Sequence, residues 1–162
     1  MLFRSLGAYN VQIAMTDSSG RTYRVYVGRI EVQALARHFA PPAPAHAANL
    51  PLGNLVALAG YDFRAEAAGQ TLTLYWHALA ETDLDYTVFV HVLDAGGRIV
   101  AQRDVMPRDN SYPTSLWMTD EYVADEHPFS LPRGSYSLEV GLYVPETGET
   151  LGGGMIGEVV VP

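Results

Sequence analysis

Short runs in which apolar and polar residues alternate follow one another along most of the chain, as in half-buried β-strands. Turn residues separate the runs, for example at residues 94–97 and 145–148. Seven strands are predicted after residue 51, near 55–63, 70–79, 85–94, 97–105, 121–131, 135–144 and 156–161. The pattern therefore predicts an all-β antiparallel sandwich over residues 52–162, immunoglobulin-like or jelly-roll-like, since alternation does not determine strand order.

Alternation also predicts which side chains face the core, because neighbouring residues of a strand point to opposite faces. Three of the predicted strands each supply four inward residues: Leu72, Leu74, Trp76 and Ala78; Tyr86, Val88, Val90 and Val92; and Tyr136, Leu138, Val140 and Leu142.

The last two strands of the chain have counterparts at its start. Residues 7–15 resemble residues 134–142, and each stretch leads through a glycine-containing turn to a similar final strand. Gly28 follows Gly7 by 21 residues, and Gly157 follows Gly134 by 23. The repeat predicts that residues 1–36, with strands at 9–16 and 22–33, are the closing hairpin of a preceding similar module.

The predicted hairpin has exposed edges and an apolar face, so we expect it to pack on the sandwich or to form a homodimer through its strands. Residues 37–51 are rich in proline and alanine and are predicted to be a semi-rigid linker between the hairpin and the sandwich.

Composition narrows the classes of function. All ten basic residues are arginine, and with 18 acidic residues the formal net charge is −8. A nucleic-acid partner is not expected, because phosphate binding needs a basic stripe. No apolar stretch is long enough for a membrane span, so direct membrane insertion is not expected either. The lack of cysteine rules out disulfides and thiolate chemistry.

Several strings in the second part of the chain follow one another in an order typical of one group of proteins. They are residues 72–76 (LTLYW), 85–94 (DYTVFVHVLD), 112–117 (YPTSLW), 132–143 (PRGSYSLEVGLY) and 145–148 (PETG). Together they resemble the β-sandwich modules at the C-terminal end of large bacterial multi-spanning membrane proteins, many of them glycosyltransferase-like. The resemblance covers about residues 52–162 and implies an extracytoplasmic appendage, with transferase chemistry in the membrane part. Where that pattern has Gly-Glu after the tryptophan, this chain has residues 118–121 (MTDE) after Trp117, although Val123 and Asp125 match.

A set of outward-facing aromatic and histidine side chains suggests a binding surface. Sugar rings stack on flat aromatic side chains beside hydrogen-bonding groups, so this set predicts a carbohydrate-binding face if its strands are neighbours. The alternative is that the segment 105–128 covers this face and that Trp117 plugs one end of the sandwich. The candidate ligand-binding residues are Tyr75, His77, Phe89, His91, Trp117 and Tyr143.

Glu81, Asp83 and Asp85 alternate in a turn, where carboxylates can hold Ca²⁺. The turn lacks the glycine and terminal glutamate of an EF-hand, so a solvated acidic turn is the alternative. The five histidines lack metal-site spacing, and no cofactor is expected. Residues 152–154, all glycine, are interpreted as a bulge or turn.

No catalytic motif is recognisable in the chain, so catalysis by these residues is not expected. The sequence therefore predicts a non-catalytic structural or accessory module of a larger cell-envelope protein, with an extracytoplasmic location. A carbohydrate-binding module is the alternative, and a hydrolase would need a cleft with paired acids.

Overall fold

The computed structural model describes residues 7–32, 36–66 and 68–162. These residues form ten β-strands and one 3-10 turn at Thr114–Leu116, which confirms the all-β prediction. The strands are β1 (Gly7–Thr16), β2 (Thr22–Val32), β3 (His46–Leu52), β4 (Val56–Glu66), β5 (Gly69–Ala78), β6 (Thr87–Leu93), β7 (Ile99–Val105), β8 (Tyr122–Phe129), β9 (Gly134–Tyr143) and β10 (Thr150–Val161). Residues 1–6 and 33–35 of the predicted hairpin segment lie outside the described residues.

The chain divides into two compact units, Met1–Ala36 and Arg37–Pro162. In the first unit, β1 and β2 form an antiparallel hairpin. Its turn is held by Asp17, whose carboxylate accepts the backbone N–H groups of Ser19 at 2.9 Å and Arg21 at 3.0 Å. Short acidic side chains favour such turns because they replace a backbone acceptor.

The second unit contains two four-stranded antiparallel sheets. Sheet I has the order β3-β4-β5-β8, and sheet II has the order β10-β9-β6-β7. Buried side chains from both sheets form one hydrophobic cluster, consistent with a β-sandwich. All twelve side chains predicted to face inward are at most 9% exposed, so the parity prediction is confirmed.

Two boundaries differ from the sequence-based expectation. Residues 46–51, predicted as linker, belong to β3, which pairs with β4 at the edge of sheet I. These residues are rich in alanine and proline, which are uncommon in strands, so composition does not predict β3. Pro51 is tolerated there because only one side of an edge strand must form backbone hydrogen bonds. β10 also begins six residues before the predicted strand and includes the three glycines, with a register shift between Thr150 and Gly152.

Candidate functional site

The predicted aromatic face divides between two surfaces. Tyr75 and His77 lie on β5 in sheet I, whereas Phe89 and His91 lie on β6 in sheet II. Alternation correctly separates inward from outward residues on each strand, but β5 and β6 are not neighbours. The chain passes from one sheet to the other between them, so the two pairs do not form one platform.

On sheet I, Tyr75 lies beneath the segment 37–45, which we call the strap. A cavity of about 260 Å³ is bounded by the strap and the outer faces of β5 and β8, with Tyr75 in its wall. At β8, the Tyr122 N–H donates to the carbonyl of His38 at 2.7 Å. At β4, the Ala45 N–H donates to the Asp62 carboxylate at 2.6 Å. The predicted linker therefore crosses sheet I, and the strap, rather than the segment 105–128, lies over Tyr75.

Asp62 joins the strap to the sheet. Its second carboxylate oxygen accepts the Tyr75 hydroxyl at 2.8 Å. The hydrogen bond from Ala45 is the main cause that lowers the pKa of Asp62 below its usual value. Burial, and then the bond to Asp62, raises the pKa of Tyr75. Tyr75 is thus engaged in holding the strap, while His77 stacks on Tyr122 with ring centroids 4.3 Å apart.

On sheet II, three of the predicted ligand-binding residues do come together. The Phe89 ring centroid lies 4.9 Å from that of His91 and 6.5 Å from that of Tyr143. Two acidic side chains flank the rings: Glu139 lies 2.9 Å from His91 Nδ1, and Asp104 accepts the Tyr143 hydroxyl at 3.3 Å. We call these five residues the Phe89 face. Burial, together with the nearby Asp104 charge, raises the pKa of Tyr143.

Two glycines provide the space under the Phe89 ring. Gly141 of β9 and Gly153 of β10 are opposite each other in the register. A Cβ on Gly153 would lie 2.7 Å from Phe89 Cζ, and one on Gly141 would overlap the ring more closely still. One surface of the ring therefore rests on sheet backbone, as aromatic residues do when they cover glycines in strands.

Trp117 is buried in the core and is not part of an exposed surface. Its indole N–H donates to the carbonyl of Tyr112 at 3.1 Å. The indole therefore lies inside the sandwich, whereas the predicted binding surface would need it exposed.

A buried carboxylate, Glu121, organises the long connection between β7 and β8. It accepts the Tyr112 hydroxyl at 2.7 Å, Arg37 at 2.5 Å and the Met118 N–H at 3.0 Å. Desolvation is the main cause that raises the pKa of Tyr112 to about 12, and the bond to Glu121 adds to it. The loop is thereby tied to the first residue of the strap.

A second buried carboxylate, Asp125, lies beneath the other end of the same loop. Its oxygens accept the Arg108 backbone N–H at 2.7 Å, the Trp76 indole N–H at 3.3 Å and lie 2.9 Å from His127 Nε2. Asp125 and His127 are fully buried. Glu121, Asp125 and His127 are not among the site residues that the sequence predicts. The available signal was parity, because Asp125 and His127 share the inward phase of Val123, where polar residues are unusual.

Three residues, beginning with Asp125's partner Arg108, adopt unusual backbone conformations. Arg108, Asp109 and Asn110 have φ angles of 52°, 54° and 66°, in the left-handed region. Beside them, a groove of about 580 Å³ is lined by Thr71, Arg103, Arg108, Asp109, Ala124, Glu126 and Pro128. Arg103 pairs with Asp109 at 2.9 Å, and Arg108 Nε donates to the Ala124 carbonyl at 3.2 Å. Arg103 and Asp109 therefore pair with each other and Arg108 bonds to the free edge of β8, while Arg103 Nε is buried without a hydrogen-bond partner among the described residues.

The carboxylates of the acidic turn do not form a metal-binding cluster. Glu81, Asp83 and Asp85 are exposed, and Asp85 accepts the Ser115 N–H at 3.3 Å. Among residues 7–32, 36–66 and 68–162, no group of three or more histidine, cysteine, aspartate or glutamate residues is arranged to hold a metal ion.

Comparison with known proteins adds no identification: no protein-family model matches the chain, and no curated protein matches it. Within the described part of the chain, no helix is long and apolar enough to cross a bilayer.

Proposed function

We propose that this chain is a non-catalytic accessory β-sandwich module of a larger cell-envelope protein. The observation that carries the proposal is the state of Glu121 and Asp125, which are 1% and 0% exposed. A general acid or base must reach a proton on its substrate. Both carboxylates are instead enclosed and hold donors of the 106–121 loop, so their role is to fix that loop.

The resemblance of residues 52–162 to C-terminal modules of multi-spanning bacterial membrane proteins supports an extracytoplasmic place for this module. In that setting the chemistry belongs to another part of the parent protein. The bonds of the strap and of the buried carboxylates hold the loops in place without a ligand. Such rigidity suits an appendage of a larger protein.

We further infer the immunoglobulin-like alternative for the sandwich. In that fold the second and fifth strands pair in one sheet, and the third, sixth and seventh lie together in the other. When β4 is counted as the first strand, the pairs β5–β8, β6–β9 and β9–β10 follow the same order. β3 is then an additional edge strand, and the fourth strand, β7, lies beside β6 instead of beside the fifth strand.

The proposal is tested by measuring turnover and stability on the same proteins. We expect the natural chain to hydrolyse none of a panel of chromogenic glycosides and esters, and Glu121→Gln to unfold at a lower temperature. The exposed Glu81→Gln is the matched control and should unfold like the natural chain. Hydrolysis by the natural chain that Glu121→Gln abolishes, at a temperature where that variant is folded, would contradict the proposal.

A second candidate function is saccharide binding at the Phe89 face. The specific observation is the contiguous set of three rings on sheet II with a carboxylate on either side. The apolar face of a pyranose stacks on such rings, and carboxylates accept hydrogen bonds from its hydroxyls. This smaller site uses Phe89, His91 and Tyr143, without Tyr75, His77 or Trp117.

Thermal shift against soluble glycans tests this second function. A ligand at 100 times its Kd adds about 2.7 kcal/mol of stability, which is readily measured. A shift that Phe89→Leu removes and Tyr75→Phe retains would support the Phe89 face, because Tyr75 lies under the strap on the other sheet. No shift across the panel, or a shift that Phe89→Leu leaves unchanged, would count against it.

A further inference from the structure

From Gly134 to Leu142, the hairpin β9–β10 has the same cross-strand register as the hairpin β1–β2 from Gly7 to Met15; its second register shift, between Thr150 and Gly152, lies beyond this stretch. Gly7 is opposite Val32, as Gly134 is opposite Val161. Four residues later, Val11 is opposite Gly28, and in the other hairpin Leu138 is opposite Gly157. The two hairpins thus align residue by residue along this stretch.

Both hairpins then contain a bulge at the same place. In the first, Gln12 is opposite Tyr26, and Val27 is left without a partner. In the second, Glu139 is opposite Met155, and Ile156 is left without one. An extra residue in one strand changes which face its side chains occupy, so a shared bulge is a specific feature rather than a general property of hairpins.

Equivalent side chains in the two hairpins have different surroundings. Val140 and Leu142 of β9 are fully buried between the two sheets. Their counterparts on β1, Ile13 and Met15, are 52% and 56% exposed. The residues opposite them on β2 are also exposed large side chains: Tyr23 and Val25. We call the face formed by Val11, Ile13, Met15, Tyr23 and Val25 the hairpin face.

We infer that the hairpin face is the inner face of a closing hairpin, and that its partner is the open remainder of a second sandwich of this kind. This inference rests on the proposed function and names the neighbour of the module. The partner provides β1–β2 with the same two contacts that the sandwich provides to β9–β10. One strand pairs with β1 as β6 pairs with β9, and an opposing sheet like sheet I covers the apolar side chains.

The hairpin also specifies one feature of that partner. The opposed pair Gly141 and Gly153 corresponds to the opposed pair Ala14 and Arg24. Side chains at these two positions occupy the space that Phe89 takes in this sandwich. The partner module therefore carries a small residue where this module has Phe89, and β1–β2 does not fit this sandwich unchanged.

A hairpin exchange within the full chain tests the inference. Val25 and Tyr23 stand where β10 has Gly154 and Gly152, and a Cβ on Gly152 would already lie 3.1 Å from Leu52 Cα. Residues 134–161 are therefore replaced by residues 7–32 carrying Tyr23→Gly and Val25→Gly, in the Phe89→Ala background, and near-ultraviolet circular dichroism is followed during thermal unfolding. We expect a cooperative transition, and a lower Tm when Phe89 is kept. The matched control is the same exchange without Val27. Loss of the bulge turns the following residues to the wrong face, so this control should show no cooperative transition.

Two results would overturn the inference. One is loss of folding in the exchanged chain when Phe89→Ala alone still folds. The other is equal folding with and without Val27. Because folding is the readout, failure here is distinct from failure of the proposed function, which is read as turnover.

Measurements on the natural chain distinguish a partner module from the other molecules that could cover the hairpin face. We expect sedimentation as a monomer and binding of a hydrophobic dye that falls at least twofold in Ile13→Ser/Val25→Ser. A dimer that the same substitutions dissociate would make a second copy the partner and contradict the inference. A monomer without dye binding would mean that the face is already covered, and would also contradict it.

Discussion

Val27 and Ile156 are the bulged residues at equivalent places in two hairpins whose registers agree on both sides of the bulge. Deleting Ile156 should turn Val159 and Val161 away from the core, where each is less than 9% exposed. Since burial of a valine contributes about 1.5–3 kcal/mol, we expect a loss of roughly 3 kcal/mol or more from the unfolding free energy. Deleting Val27 is the matched control, and urea unfolding followed by Trp76 and Trp117 fluorescence should then be unchanged. Equal losses in both deletions would show that Ile156 does not determine which face Val159 and Val161 occupy.

Asp125 connects the inner face of β8 with the loop that crosses the sandwich. Asp125→Ala leaves the buried indole N–H of Trp76 and the half-buried backbone N–H of Arg108 without an acceptor. An unsatisfied buried donor costs about 1–3 kcal/mol, so we expect a loss on the order of 3 kcal/mol in urea unfolding. Glu126→Ala, on the same strand but with an exposed side chain, should change stability by about 0.5 kcal/mol or less. Similar losses in the two variants would show that Asp125 does not hold the loop.

Tyr112 makes stability depend on alkaline pH. Its pKa is raised from 10.0 in the reference state to about 12 in the fold. A group whose pKa is raised by folding contributes stability that is complete below the unfolded value and is lost as pH rises through the folded value. The stability difference between the natural chain and Tyr112→Phe should therefore be constant up to about pH 10 and decrease between about 10 and 12. A difference that remains constant over that range would contradict the buried bond to Glu121.

The strap should detach in acid or when Asp62 is removed. Folding lowers the pKa of Asp62, so its stabilisation is present above the usual value of 3.8 and is lost as pH falls through the lower folded value. In Asp62→Ala, we expect hydrogen exchange at the Ala45 amide to accelerate at least tenfold at neutral pH. The exposed Asp83→Ala should leave that amide unchanged. Unaltered exchange in Asp62→Ala would mean that the strap is held in another way.

Phe89 and Gly141 should show strong coupling in a double-mutant cycle. Gly141→Ala places a methyl group where the Phe89 ring lies, and such overpacking costs about 1–3 kcal/mol. In a Phe89→Ala background the overlap with the ring is removed, while the overlap with the Gly152 carbonyl oxygen remains. The same substitution should therefore cost at least about 1 kcal/mol less, within the coupling typical of contacting residues, about 0.5–3 kcal/mol. Additive effects in urea unfolding would show that the ring does not rest on the glycines.

The sequence was most informative where structure is local. Alternation places Leu74 and Val90 on the inner faces of their strands because side chains change face at every residue. Turn chemistry likewise predicts the hairpin between β6 and β7, where Asp94 accepts the Arg98 N–H at 3.1 Å. These features depend on residues only a few positions apart.

Which candidate residues lie together depends on the pairing of strands that are distant in the sequence, and alternation does not predict that pairing. Tyr75 and Phe89 are both outward-facing, but they belong to different sheets because β5 pairs with β8 and β6 with β9. The strap was misinterpreted for the same reason. Its bonds join His38 to Tyr122 and Ala45 to Asp62, and composition alone describes it as a spacer.

Whether β1–β2 is a closing hairpin of the same kind as β9–β10 is decided most directly by cross-strand nuclear Overhauser contacts in the isotopically labelled full chain. The shared register predicts that Gln12 contacts Tyr26 across the strands, as Glu139 contacts Met155, and that Val27 has no cross-strand partner. Contacts that instead place Gln12 opposite Val27 would remove the bulge and contradict the equivalence of the two hairpins.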